Sequence, residues 1–301
     1  GKNVMSDYHI SVMPNETIDA LCVKPDRLYF DGTLGGGGHS ERILKLGGRI
    51  IATDRDAEAI DYVLGRFSKN ADYNGRYTLV KDNFKNVLQI LKDRHITELD
   101  GAVFDLGISS HQIDDAGRGF SYMNDAQLDM RMDRDQFLSA MTVVNDYSEE
   151  ELSRIIFTYG EERAARRIAA KIVEIRKKEP IETTKWLAEI IASCVPNNPK
   201  AGHPAKRTFQ ALRIEVNSEL KGLSEAIGDT VGVLRSGARM AVISFHSLED
   251  RIVKQTFKYM CTDCVCDKSL PVCVCGHKAI AKPISHKGIK PTEEEEKFNS
   301  R

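Results

Sequence analysis

A strand–helix alternation running without a break from residue 27 to residue 105 constrains this chain more than any other feature of its sequence. Arg27-Leu-Tyr-Phe-Asp31 reads as a short buried strand, and His39 to Leu46 as a helix closed by Gly47-Gly48. Arg49-Ile-Ile-Ala-Thr-Asp54 is a second strand, followed by a helix from Asp56 to Phe67 with Asp56 as its N-cap. Arg76-Tyr-Thr-Leu-Val80 is a third strand, Asn83 to Asp93 a third helix, and Leu99-Asp-Gly-Ala-Val-Phe-Asp105 a fourth strand. Strands joined by single helices of this length pair in parallel through right-handed crossovers. The expected fold class is therefore α/β, a Rossmann-like, doubly wound, mostly parallel sheet.

The rhythm stops after Asp105. From Leu106 to about Val216 helix formers dominate and no further βαβ unit is visible. It resumes with a helix over Ser218 to Leu234, a buried strand Ala238-Arg-Met-Ala-Val-Ile-Ser244, and a helix from Ser247 to Tyr259. The economical division is a discontinuous sheet domain, residues 1–110 with 217–301, carrying a helical insertion at residues 111–216. The chain has 301 residues, 41% hydrophobic and 29% charged, enough apolar material for such a core. Its net charge of -1 names no partner, but it conceals a polarised insertion. Residues 114–151 hold ten Asp/Glu against three Lys/Arg, whereas residues 154–221 hold fourteen Lys/Arg against eight Asp/Glu. The basic segment either follows a phosphate backbone or forms the solvated faces of its helices. The first thirty residues contain no apolar run of signal-peptide length, and no stretch approaches the ~18 apolar residues of a membrane span. A cytoplasmic protein with no membrane partner is expected.

In an open α/β sheet, ligands bind outside the carboxyl ends of the strands. Three acids stand there: Asp31, Asp54 and Asp105. Asp31 leads into Gly35-Gly-Gly-Gly38 and then a helix, a sequence that allows positive φ and presents unpaired N–H groups to a ligand. The dinucleotide fingerprint is not met, because Ser40 stands where its third glycine belongs. An acid ahead of the turn would repel a pyrophosphate but welcome a sulfonium or an ammonium. Asp54 can accept from a ribose diol in either kind of cofactor. Phe84 can lie against an adenine face or pack into the core. A bare tight turn with capping acids is the plain alternative, and acids at three successive strand ends weigh against it.

Asp31-Gly-Thr-Leu-Gly-Gly-Gly-Gly-His-Ser40 resembles the cofactor motif of the bacterial MraW/RsmH family, class I methyltransferases acting on the exocyclic amine of a cytidine in small-subunit ribosomal RNA. Further segments match in order: Asp105-Leu-Gly-Ile-Ser-Ser-His-Gln112, Asp114-Asp-Ala-Gly-Arg-Gly-Phe-Ser-Tyr122 with Leu128-Asp-Met-Arg-Met-Asp133, His203-Pro-Ala-Lys-Arg-Thr-Phe-Gln-Ala-Leu-Arg213 with Val216-Asn-Ser-Glu-Leu220, and Ile243-Ser-Phe-His-Ser-Leu-Glu-Asp-Arg251. The similarity spans about Tyr8 to Lys254. The resemblance implies S-adenosyl-L-methionine as cofactor, contacted by Gly37, Gly38, His39, Asp54, Phe84, Asp105 and Gln112. It also implies that the insertion carries the RNA-recognition helices. The substrate would be small-subunit ribosomal RNA near the decoding centre, within the assembled subunit, and a homodimer is left open.

On that reading a cytidine amine attacks the methyl group in line, with no covalent enzyme intermediate. Asp105 is expected to accept a hydrogen bond from the amine, and Ser109 or Ser110 to fix the base. Lys206, Arg207 and Arg213 either hold phosphates or pair with Glu215 and Glu219. Two departures from the general pattern stand out. Asp105-Leu-Gly-Ile108 replaces the D/N/S-P-P-Y/F segment of amino-methyltransferases, so no base-stacking aromatic is identified. The family also ends in a short strand after an acidic stretch, and Arg301 follows Glu293-Glu-Glu-Glu296 so soon that the presence of this strand stays open.

His246, His203 and His111 each admit a structural or a substrate-facing reading. Five of the seven cysteines crowd into residues 261–275 as Cys261-x2-Cys264-x-Cys266 and Cys273-x-Cys275. C-x-C pairs fit a zinc ribbon less well than C-x2-C pairs, so zinc, reduced thiols and redox-labile pairing all stay open. The reaction itself calls for no metal. A nicotinamide-dependent dehydrogenase and a non-catalytic RNA-binding protein with a vestigial pocket are the competing functions. The broken glycine fingerprint weighs against the first, and the intact set of acids against the second.

Overall fold

A computed structural model describes residues 12–109, 112–113, 115–195, 202–285 and 288–292. The chain divides into two compact units, residues 1–107 with 220–301 and residues 108–219.

The first unit is built on strands β1 (Leu28–Asp31), β2 (Arg49–Asp54), β3 (Tyr77–Lys81), β4 (Leu99–Asp105) and β5 (Leu234–Ile243). Their order is β3-β2-β1-β4-β5 and every pair is parallel, as the crossover argument requires. The order reverses between β1 and β4, so the chain leaves the sheet in opposite directions there and opens a crevice at the strand tips. Neighbouring residues on β1 serve opposite faces. Phe30 joins Ile51, Val87, Ile90 and Phe104 in one core layer, and Tyr29 joins Ile43, Ile50, Val63 and Phe67 in the other. Burial on both faces explains why these strands read as continuous apolar runs.

Helices α1 (Pro14–Leu21), α2 (Gly38–Lys45), α3 (Ala57–Phe67) and α4 (Val87–Lys92) accompany the first four strands. Asp56 caps α3 as expected, its side chain accepting from the Glu58 N–H at 3.1 Å. The third helix departs from the sequence reading. It opens as a tight turn over Phe84–Asn86, and α4 begins only at Val87. Asn83 accepts from the Lys85 N–H, and Asn86 donates to Asp82 at 2.7 Å. These short polar side chains compete with regular helix at its start.

The helix expected over Ser218 to Leu234 is also shorter in the structure. Ser218 adopts φ 49° as the C-cap of the preceding helix, and Gly222 adopts φ 74° before α10 (Leu223–Gly232) begins. The methyl-free backbone at Gly222 makes that break inexpensive. Strand β5 starts at Leu234, and a bulge between its Leu234 and Arg239 pairings absorbs the extra residues. Helix α11 (Ser247–Met260) closes the unit.

The second unit contains α5 (Ala140–Asp146), α6 (Glu149–Gly160), α7 (Ala165–Arg176), α8 (Thr184–Cys194) and α9 (Lys206–Asn217). Apolar residues at helical spacing form its own core: Leu152, Ile155 and Ile156 on α6, Ile168 and Ile172 on α7, Leu187 and Ile191 on α8. Ser148 and Glu151 form a capping box at the start of α6. At the other end of α6, Gly160 lets α9 approach closely, since a β-carbon there would lie 2.6 Å from the Arg207 carbonyl.

Candidate active site

The glycine turn after β1 is laced to three strand tips by hydrogen bonds. Asp31 is buried, and its carboxylate accepts from the Thr33 N–H at 3.1 Å and from the Ser40 hydroxyl at 2.7 Å. Burial pushes its pKa up, opposed by His39, Ser40 and Thr33. Both its oxygens hold the turn, one through Thr33 and the other against α2 through Ser40, a structural role that sequence did not suggest. Thr33 carries the turn to β4, its hydroxyl oxygen accepting from the Asp105 N–H at 2.5 Å. The Thr53 hydroxyl donates to the Gly32 carbonyl at 3.0 Å, and the Leu34 N–H donates to the Thr53 carbonyl at 2.9 Å. Thr33 and Thr53 were not singled out from sequence, and Ser40 only as the residue that breaks the dinucleotide fingerprint; short polar residues beside the glycines were the available signal.

Asp54 ends β2 half-buried, with one oxygen accepting from the Gly35 N–H at 2.8 Å and the other from the Asp56 N–H at 2.9 Å. Burial raises its pKa to about 6, partly offset by those two N–H groups. Each oxygen has two lone pairs, so each can accept a further bond from a ligand. A fourth acid that sequence reasoning passed over, Asp82, directly follows β3. Its N–H donates to the Asp54 carbonyl and its carboxylate accepts from the Asn83 N–H and the Asn86 side chain. An acid immediately after a strand was the same signal that identified the other three.

Gly35 and Gly37 sit at φ 48° and 76°, which suits glycine, and Gly37 stands at the N-cap of α2 without a side chain to cap it. The first-turn N–H groups from Gly38 onward therefore lack a side-chain acceptor. His39 follows, 3% exposed, with neither ring nitrogen making a hydrogen bond among the described residues. Its Nε2 lies 3.5 Å from Oδ2 of the buried Asp105. Buried polar atoms without partners are uncommon and mark a place where a further group belongs. Phe84 is half-buried against Phe104, ring centroids 4.6 Å apart, so it packs on the core. Gly32 is wedged beside the Phe104 ring and the Phe84 side chain: a β-carbon there would meet Phe104 at 2.5 Å and the Phe84 β-carbon at 2.9 Å. The sheet unit thus brings Gly37, Gly38, His39, Asp54, Phe84 and Asp105 together around the switch point.

Ser109 and Gln112 belong to the helical unit and form a reciprocal cap. The Gln112 N–H donates to the Ser109 hydroxyl oxygen, and the Ser109 N–H to the Gln112 side-chain oxygen, both at 3.2 Å. The Gln112 side chain is buried. Ser110 and His111 lie outside the described residues. His246 caps α11 through Nδ1, and its Nε2 lies 3.1 Å from the buried Glu249. His203 accepts from the Ala205 N–H ahead of α9 and stacks on Tyr122 at 4.5 Å. Both hold a helix start, and the Nε2 of His246, like the ring nitrogens of His39, makes no hydrogen bond among the described residues.

Arg213 makes a two-pronged pair with Glu219 at 2.8 and 3.0 Å, so its expected phosphate contact gives way to an internal ion pair. Glu215 accepts instead from the Tyr147 hydroxyl at 2.8 Å. Lys206 and Arg207 remain exposed at the start of α9, with Arg207 donating to the Glu161 carbonyl at 3.2 Å. Arg163, Arg166 and Arg167 are exposed at the start of α7, which follows α6 within five residues. The end of α6 therefore gathers the cations of two helix starts.

A family model described as the MraW methylase family matches residues 6–301. Curated relatives called ribosomal RNA small subunit methyltransferase H align over nearly the whole chain. The protein of Clostridium botulinum (strain Kyoto / Type A2) is 51% identical over 99% of this chain and 96% of its own. That of Brevibacillus brevis is 47% identical over 99% and 95%, and that of Fusobacterium nucleatum 48% over 100% and 95%. Among solved structures, an rRNA methylase from Streptococcus thermophilus overlays 33% of this chain and 52% of its own at TM-score 0.27 and 22% identity, too slight a likeness to carry weight.

Proposed function

This chain belongs to the MraW methylase family, and we propose that it methylates N4 of a cytidine in small-subunit ribosomal RNA, near the decoding centre, with S-adenosylmethionine as methyl donor. The observation that carries the cofactor reading is the turn bound to the tips of β1, β2 and β4, with His39 buried beside Asp105 and its ring nitrogens unsatisfied by hydrogen bonds. S-adenosylmethionine, when bound, supplies an electrophilic methyl group. Asp54 would accept from its ribose diol, Phe84 would pack against its adenine, and Gly37, Gly38 and His39 would hold its amino-acid end. The resemblance to the family adds Gln112, for which the structure supplies only the reciprocal cap with Ser109.

The exocyclic amine of cytidine is a poor nucleophile because its lone pair is delocalised into the ring. Asp105 accepts a hydrogen bond from that amine and so aligns it, and Ser109, whose hydroxyl oxygen caps the Gln112 turn, keeps its own hydrogen to donate to the base. No residue needs to remove a proton before attack. The product sheds it afterwards. Losing a hydrogen bond to a charged acceptor costs roughly 1.5–3 kcal/mol, so Asp105→Ala is expected to slow turnover on the order of 10- to 150-fold.

The helical unit is the RNA-binding part on this reading. Lys206, Arg207, Arg163, Arg166 and Arg167 stand at two helix starts that have no side-chain cap, where N–H groups and cations together suit phosphate. Phe157, 63% exposed on α6 one turn before Gly160, offers an aromatic side chain on the same helix end. No described helix is long and apolar enough to cross a membrane. The test is mass mapping of cytidines in small ribosomal subunits incubated with the protein and S-adenosylmethionine. A single new N4-methylcytidine is expected, and unmodified RNA would overturn the proposal.

A further inference from the structure

Four cysteines at the end of the sheet unit form a cluster that methyl transfer does not use. Cys264, Cys266, Cys273 and Cys275 place their sulfurs within 4.8 Å of one another, and all are free thiols. The individual separations are 3.5 Å for Cys264–Cys273, 3.6 Å for Cys273–Cys275, 3.8 Å for Cys264–Cys275 and 4.0 Å for Cys266–Cys273. Four ligands at a Zn–S distance of ~2.3 Å stand about 3.8 Å apart at the corners of a tetrahedron. We infer that these four cysteines bind one structural zinc ion as a closed tetrathiolate site.

The rest of the segment agrees with that assignment. It has no helix, no strand and little burial: Val272 and Val274 are 69% and 75% exposed. An apolar core therefore does not hold the two C-x-C pairs together, and short segments without a core are held by metal or covalent links. A turn closes between the pairs, where Asp267 accepts from the Ser269 N–H at 2.8 Å and the Leu270 N–H donates to the Asp267 carbonyl at 3.1 Å. Backbone N–H groups point at the sulfurs: Val274 N–H to Cys266 at 3.3 Å and His277 N–H to Cys275 at 3.5 Å. Such donors stabilise thiolate ligands and fix their direction. The knuckle is tied to the end of α11, where the His277 ring packs at a tilt against Tyr259, centroids 4.2 Å apart, and bonds its carbonyl at 2.9 Å. Cys261 stays outside the cluster, so the C-x2-C spacing that the sequence offered at Cys261–Cys264 is not the one used.

The inference is independent of the methyl-transfer reading and is tested without an activity assay. The full-length protein is purified without chelator, supplied with zinc alone, dialysed and analysed for metal. About one zinc per chain is expected. The variant Cys264→Ser/Cys273→Ser should lose at least roughly tenfold in bound zinc, while Cys261→Ser keeps it. Should the double variant fail to fold, the wild-type chain loaded with cobalt decides: intense visible bands and sulfur-to-cobalt charge transfer signify a tetrahedral thiolate site. Wild-type protein that retains no zinc, that holds iron instead, that gives a weak octahedral cobalt spectrum, or that loses as much zinc on Cys261→Ser overturns the assignment.

Discussion

On the proposed cofactor reading, lowering the pH is expected to loosen the hold on S-adenosylmethionine through one carboxylate, that of Asp54. Burial lifts its pKa from 3.8 to about 6, with the N–H groups of Asp56 and Gly35 holding it down and the charges of Asp56 and Asp31 pushing it further up. A ribose diol donates hydrogen bonds, so it binds the ionised acid and lowers its pKa. At pH 8 nearly every Asp54 is ionised. At pH 5, one unit below the pKa, about one in ten is, so the dissociation constant should rise about tenfold, or ~1.4 kcal/mol. In the cofactor-free protein the sign is opposite. Between pH 3.8 and about 6 the folded chain holds this proton more tightly than the unfolded one, so Asp54's contribution to stability falls as pH rises through that window. Calorimetric titration from pH 5 to 8 measures the affinity, and repeating it near pH 6 in buffers of different ionisation enthalpy should reveal proton release. Asp54→Asn separates this group from its neighbours. An amide oxygen can accept from Gly35 or from Asp56, but the amide nitrogen then faces the other N–H, a loss of about 1–3 kcal/mol. The variant should bind weakly with a flatter pH profile. A wild-type affinity constant across this range, or an Asn variant with an unchanged slope, would refute the reasoning.

Gly32→Ala should destabilise the sheet unit by about 1–3 kcal/mol in urea unfolding, because its methyl would overlap Phe104 and Phe84. Adding Phe104→Leu should recover part of that loss, and strictly additive effects would show that the ring is not the obstacle. Lys206→Ala/Arg207→Ala should reduce the salt dependence of RNA binding by about two phosphate contacts while leaving cofactor affinity alone, and an unchanged salt slope would remove both from the interface. Arg213→Ala strands Glu219, whose side chain is only 7% exposed, and should cost stability on the order of 1–3 kcal/mol with no change in the salt slope. A reduced slope there would return Arg213 to the RNA.

The sheet was legible because its strands are buried on both faces and separated by single helices, a pattern that admits few other folds. The ends of β2 and β4 at Asp54 and Asp105 coincide with the reading, while β5 begins four residues early. That difference has a local cause: the Leu234–Arg239 bulge breaks the alternation that would have marked its start. The carboxylates were placed correctly at the strand tips, but their partners were not readable. Asp31 is turned inward by Ser40, nine residues away, and Asp105 is tied to Thr33 through an N–H rather than through its acid. Sequence spacing carries side-chain period, not the choice among nearby donors. The same holds for Arg213, whose two candidate roles differ only in whether Glu219 curls back to meet it.

The basic helix starts show a kind of information that becomes readable only when element boundaries are known. Cations at the N-terminal end of a helix oppose its dipole, by ~0.3–1 kcal/mol each where exposed. Helix α9 begins Lys206-Arg207 and α7 begins Ala165-Arg166-Arg167, each with alanine at the N-cap and no acid in the first turn. By contrast α6, which opens Glu149-Glu150-Glu151 behind Ser148, obeys every local rule. Glu162 ahead of α7 and His203 ahead of α9 each accept one N–H, so the opposition there is only partly relieved within the chain. The conflict is relieved if an anion sits there, because the cations and the uncapped N–H groups then act in the same direction. On charge balance alone, solvated helix faces and a phosphate-binding surface were equal readings of residues 154–221. The position of these charges relative to the helix dipoles favours the second.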